Sequence, residues 1–108
     1  MELNSYQNDA MRTAIYPIDR GLDYAINGLT GEAGELSGSY AKAIRDDNGY
    51  ITPSRKEHLL MELGDILWMC AAVARELDTP LEVVAHMNLN KLESRARRGT
   101  LKGNGDQR

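Results

Sequence analysis

"LDYAINGLTGEAGELSGSYAKAIR", residues 22–45, decides the fold. Leu22, Ile26, Leu29, Ala33, Leu36, Tyr40 and Ala43 recur at intervals of three or four, the spacing of one face of an α-helix. A helix over Leu22 to Arg45 follows. The same stretch contains Gly31, Gly34 and Gly38, and glycine inside a helix costs about 1 kcal/mol relative to alanine. Among these glycines stand two acids, Glu32 and Glu35. A segment built only for helical stability would not be composed this way.

Working outward, the helix breaks at "RDDNGY", 45–50, a turn-rich segment closed by Gly49. Thr52 then reads as an N-cap with Pro53 at the first helical position, where a missing N–H costs nothing. Leu59, Leu63, Ile66, Leu67, Cys70 and Val73 form an apolar face that continues to about Leu77. "DTPLE" repeats the start signal: Thr79 as cap, Pro80 in first position and Glu82 completing a capping box. The last helix runs to about Arg98, with Gly99 as its stop. At the other end a short helix spans about Ser5 to Ile15, with Asn4 and Gln7 at capping-box spacing and Tyr16-Pro17 as its terminator. The ending "TLKGNGDQR" reads as a loop, flexible from about residue 99 or ordered on binding. No Val/Ile/Thr-rich alternation appears, so the fold class is all-α: three long helices and one short one within a single domain, 1–108.

A chain of 108 residues buries roughly 60–65% of its unfolded surface, enough for a thin core that oligomerisation would complete. A net charge of -3 argues against nucleic acid as the main partner. One cysteine, Cys70, excludes an intrachain disulfide and a cysteine zinc cluster, and it is expected in the core. No apolar run approaches membrane-spanning length and "MELNSYQNDA" lacks a signal-peptide pattern, so a soluble, cytoplasmic protein is expected.

"MELGDILW" places a second acid pair, Glu62 and Asp65, three apart. Positions i and i+3 of a helix are neighbours, so each pair projects two carboxylates from one face. Glu62 and Asp65 lie among Leu59, Leu63, Ile66, Leu67 and Met69, hence beside a packed seam where uncompensated charge costs several kcal/mol. A divalent cation is the usual compensation for converging carboxylates. An all-oxygen set favours Mg²⁺, which keeps waters and leans on phosphates. Gly31, Gly34, Gly38 and Gly64 are expected to let the two acid-bearing helices approach closely.

"GEAGEL" followed by "ELGDILW", with 26 residues between Glu35 and Glu62, resembles the Glu-x-x-Glu … Glu-x-x-Asp signature of the MazG-like nucleotide pyrophosphohydrolases of the all-α NTP pyrophosphatase superfamily. "NSYQNDAMRTAIY" is similar to the first helix of their small, often phage-encoded members, and "NLNKLESRARRGTLKGNGDQR" to their ending. The resemblance implies hydrolysis of a nucleoside triphosphate to monophosphate and pyrophosphate with Mg²⁺, Mn²⁺ serving as a substitute, in the cytoplasm of a bacterial cell. It implies that Glu32, Glu35, Glu62 and Asp65 are the metal ligands. One carboxylate, of the first motif by preference, would also activate the attacking water.

Downstream, Asn88, Lys91 and Arg95 fall on one face of the last helix and match the family's Asn-x-x-Lys-x-x-x-Arg, implying phosphate contacts. Lys42, seven residues after Glu35, is a further phosphate contact. Tyr6, Tyr24 and Trp68 could stack on a base and Asn27 could read its edge or the sugar; His58 and His86 read as helix-surface residues rather than ligands. A homodimer or homotetramer is expected. Two other readings stay open: a relative narrowed to dUTP/dCTP or phosphoribosyl-ATP, and a module that binds metal and nucleotide without turnover.

Overall fold

A computed structural model describes all residues 1–108. Four α-helices and one 3₁₀ turn make up the chain: α1 (Leu3–Met11), the turn Ile18–Arg20, α2 (Gly21–Asp47), α3 (Pro53–Glu76) and α4 (Leu81–Arg98). There are no strands, as the helical periodicity requires. α2 and α3 form a long antiparallel hairpin; α1 and α4 pack on α3 and on each other, and α4 does not approach α2.

The start of α3 is as the sequence dictates. Thr52 Oγ1 accepts the Arg55 N–H at 3.1 Å, with Pro53 opening the helix. α2 runs two residues beyond Arg45, to Asp47, and closes on Asn48 in the left-handed region at φ 56°.

Three local expectations are overturned by contacts distant in sequence. Asn4 and Gln7 do not form a capping box in α1, whose N-cap is Glu2. Gln7 is buried, accepts the Leu81 N–H at 2.9 Å and donates to Ala71 O and Thr79 O, both at 3.2 Å. Asn4 accepts the Glu82 N–H at 3.0 Å and donates to the Glu82 carboxylate at 3.2 Å. The first amides of α4 are thus capped from α1. Thr79 is accordingly released from that duty: its hydroxyl donates to Leu77 O, and Pro80 stands at the N-cap, one place before its expected position. α1 itself stops at Met11, well short of Ile15. The Ala10 carbonyl near its end is taken twice, by the Thr13 hydroxyl, which donates to it at 2.7 Å, and by the Trp68 indole, which donates at 3.1 Å.

The glycine expectation is also corrected. A Cβ on Gly31, Gly34, Gly38 or Gly64 would meet nothing within 4 Å, so these residues do not bring the acid-bearing helices together within the chain. The close approaches lie elsewhere: a Cβ on Gly28 would meet Met69 Sδ at 2.7 Å, and one on Gly21 would clash with the Glu76 carboxylate.

The core is thin, as the chain length implied. Its buried apolar residues are mainly alanines (Ala25, Ala43, Ala71, Ala72, Ala74) with Met69 and Leu81, and no large side chain is fully enclosed. Leu63 and Leu67 of the expected apolar face are about half exposed, and Cys70 is only half-buried beside them in an apolar groove. The radius of gyration is 16.7 Å, against about 13 Å for a compact chain of this length.

The ending lies back along α4. Lys91 and Arg95 grip Asp106, Arg98 donates to Arg108 O, and Arg108 donates to Thr100 O and Gly105 O.

Candidate metal and nucleotide site

The hairpin geometry turns two sequence pairs into one cluster. Carboxylate oxygens of Glu32 on α2 and of Glu62 and Asp65 on α3 all lie within 4.8 Å of one another. Glu35, one turn further along α2, stands outside that group. Glu62 faces the hairpin seam and is half-buried, whereas Asp65 is exposed. No lysine or arginine pairs with any of the four acids; the one nearby nitrogen is His58 Nε2, 3.3 Å from Glu62 Oε1. Burial pushes the Glu32 carboxyl above its ordinary range, and the charges of Asp65, Glu62 and Glu35 push it further in the same direction. Three carboxylate oxygens this close, lacking a protein cation, fit a hard divalent ion such as Mg²⁺ or Mn²⁺.

Two cavities flank the cluster and share Glu35. One, of 580 Å³, is lined by Tyr24, Asn27, Gly31, Glu32 and Glu35. Tyr24 stacks on Tyr16 with ring centroids 4.9 Å apart, and Asn27 donates its amide to Asp23 O, leaving its carbonyl oxygen free. The other, of 520 Å³, lies toward the α2–α3 turn and is lined by Glu35, Ser39, Lys42, Arg55, His58 and Glu62. Tyr24, Asn27 and Lys42 are therefore brought to the acids.

Trp68 and Tyr6 line neither cavity. The Trp68 indole N–H is spent on Ala10 O and on Thr13 Oγ1, and the ring meets Tyr16 edge-on at 6.3 Å. Tyr6 packs against Ala71, Ala74 and Leu81. Nor does α4 bring its cations to the acids within one chain. Asn88 and Lys91 line a separate 490 Å³ cavity beside Ala74 and Leu77, and Ala74 lies nine residues, about 13 Å, further along α3 than Asp65. There Asp106 of the tail already occupies the two cations: Lys91 Nζ lies 2.6 Å from Asp106 Oδ1, and the buried Arg95 donates to the Asp106 main-chain carbonyl at 2.8 Å and to its Oδ1 at 3.2 Å.

Ser39, Arg55 and Tyr16 join the site without a signal in their own segments, and His58, expected as a helix-surface residue, borders the acids. His58 carried a usable signal, its i,i+4 spacing to Glu62. Arg55, which pairs with Asp47 and Asp46 across the turn, carried none until the hairpin closed.

An all-α hairpin with converging carboxylates between two nucleotide-sized cavities defines a class of protein suited to a divalent cation. The chain belongs to the MazG nucleotide pyrophosphohydrolase family, whose domain model matches residues 21–100, from the first residue of α2 to just past α4. It is also 44% identical over 114 aligned positions to the Gene 37 protein of Mycobacterium phage L5, an alignment covering 100% of both chains. No solved structure matches the chain significantly.

Proposed function

We propose that the protein hydrolyses nucleoside and deoxynucleoside triphosphates to monophosphate and pyrophosphate with Mg²⁺, Mn²⁺ substituting. The observation that carries this reading is the convergence of Glu32, Glu62 and Asp65 within 4.8 Å in a chain of the MazG family. Those three side chains hold the cation. A bound divalent ion supplies neutralisation of phosphate oxygens and a lowered pKa for water. Glu35, beside the cluster and on the wall of both cavities, orients the attacking water and accepts its proton. Tyr24 offers a ring face and Asn27 a carbonyl oxygen to the nucleoside.

The protein works as a homodimer or homotetramer in the cytoplasm of a bacterial cell, the setting its phage relative suggests. Leu60, Leu63 and Leu67 along α3 and Tyr40 and Ile44 on α2 are about half exposed, and a second copy would cover such a face. No helix is long and apolar enough to cross a membrane.

The test is product analysis with Mg²⁺ and a panel of nucleotides that includes dUTP, dCTP and phosphoribosyl-ATP. Pyrophosphate with monophosphate supports the reading, and turnover confined to one of those nucleotides narrows it. Diphosphate with orthophosphate refutes it, and binding without turnover makes the protein a regulatory module. Glu35→Gln and Asp65→Asn should each abolish turnover while the helical circular dichroism stays unchanged.

A further inference from the structure

We infer that the 520 Å³ cavity at the α2–α3 turn is a pyrophosphate subsite, which fixes the direction in which a triphosphate lies across the carboxylates. The inference rests on the hydrolytic reading above and deepens it.

No apolar side chain lines this cavity, and its one ring is the His58 imidazole, whose Nε2 lies 3.3 Å from Glu62 Oε1. Its wall includes Ser39, which is 7% exposed and whose hydroxyl makes no hydrogen bond to protein. A hydroxyl open to a polar cavity and without a protein partner is available to donate to a ligand oxygen. Lys42 lines the same wall, and its ammonium forms no ion pair. Arg55 is a fixed cation, held by Asp47 and Asp46, and its guanidinium also reaches Lys42 O at 3.4 Å, so it braces the wall. Glu35 and Glu62 form the inner rim, and Glu35 also borders the cavity that holds Tyr24 and Asn27.

The two cavities therefore meet at the acids and differ in chemistry. One offers a tyrosine face, an amide, the Met69 side chain and Arg20, whose guanidinium is paired with Asp23; the other offers an unpaired lysine, a serine and no hydrophobic side chain. The nucleoside monophosphate half of the substrate suits the first and the β,γ-phosphates suit the second, which puts the α–β anhydride bond at the carboxylates. Charge sets one further condition. Lys42 and Arg55 face Glu35, Asp47 and Glu62, a formal balance of -1, so pyrophosphate enters as its magnesium complex rather than as a bare anion.

Calorimetric titration of the full-length protein with magnesium pyrophosphate and, separately, with a deoxynucleoside monophosphate tests the assignment. Loss of a charge-assisted contact lowers affinity by about tenfold or more. Lys42→Ala should show that loss for pyrophosphate and leave monophosphate binding within about twofold, whereas Lys42→Arg should restore pyrophosphate binding. Ser39→Ala should weaken pyrophosphate selectively, Tyr24→Ala should weaken monophosphate selectively, and chelation should abolish pyrophosphate binding. The subsite is overturned if pyrophosphate does not bind, binds equally well to Lys42→Ala, or is lost in parallel with monophosphate. Triphosphate cleavage with pyrophosphate affinity indifferent to Lys42 refutes the subsite alone. Lys42-dependent pyrophosphate binding without cleavage refutes the hydrolytic reading and leaves the subsite standing.

Discussion

Replacing Glu32 by glutamine should stabilise the metal-free protein and remove most of its stabilisation by metal. The three clustered carboxylates hold oxygens within 4.8 Å of one another. At that separation two unit charges repel by about 0.9 kcal/mol in water and about 3.5 kcal/mol at an effective dielectric constant of 20. Glu32 faces two such neighbours. Because Asp65 is exposed and Glu32 only half-buried, the watery end of that range applies, and salt screens it further. A net relief of about 1–2 kcal/mol results, or a rise of roughly 5–10 °C in Tm for a chain of this size. The pH dependence follows from the raised carboxyl of Glu32. Between its ordinary value and the raised one the folded chain holds more protons than the unfolded chain, so metal-free stability falls as pH rises through that window. Glu32→Gln should flatten that slope. Magnesium at 100 times its dissociation constant adds about 2.7 kcal/mol to the wild type, and most of this disappears in the variant. Differential scanning calorimetry at fixed protein concentration, in chelator and in excess Mg²⁺, reads both effects. An unchanged or lower Tm in chelator, together with a full magnesium increment, would refute a cation-seeking cluster.

Two further perturbations probe the scaffold. Gln7→Leu strands the Leu81 N–H and the Thr79 carbonyl and removes the second hydrogen bond on Ala71 O, and should cost about 2–4 kcal/mol in urea denaturation; a loss below about 1 kcal/mol would show that the cap is dispensable. The hydrogen bond from Lys91 and its charge, aided by Arg95, hold the Asp106 carboxyl below its ordinary range. Its grip on the tail is therefore present above that ordinary value and lost as pH falls through the lowered one. Amide exchange over residues 100–108 should accelerate in acid, and Asp106→Asn should accelerate it at neutral pH; equal protection in that variant would show that other contacts hold the tail.

What was legible in the sequence was local. Thr52-Pro53 marks the start of α3 because the cap and the amide it serves are three residues apart. The acid pairs were legible for the same reason, since each is set by one turn of helix. Thr79-Pro80-Glu82 obeyed the same rule and misled, because Asn4 and Gln7 reach α4 from more than 70 residues away and supply the acceptors first. The basic face of α4 was correctly seen as a face, but nothing local reveals that Asp106 folds back onto Lys91 and Arg95. Ser39, Arg55 and His58 looked like ordinary helix-surface residues, since the cavity they line forms only when the end of α2 meets the start of α3.

The reach of Gln7 to Leu81, 74 residues on, also dictates when the molecule can be finished during synthesis. α2 and α3 can pair as a hairpin as soon as both have left the ribosome, because their contacts need only a short turn between them. α1 emerges before either and can dock on α3 through Gln7 to Ala71 O and the Trp68 indole to Ala10 O, but the acceptors on Asn4 and Gln7 that serve α4 stay unmatched until nearly the whole chain is made. The first and last helices are thus sealed in one late step. A nascent chain halted before Leu81 would expose Gln7 and the alanine seam of α3 together, making that interval the one in which the protein is most open to misassembly.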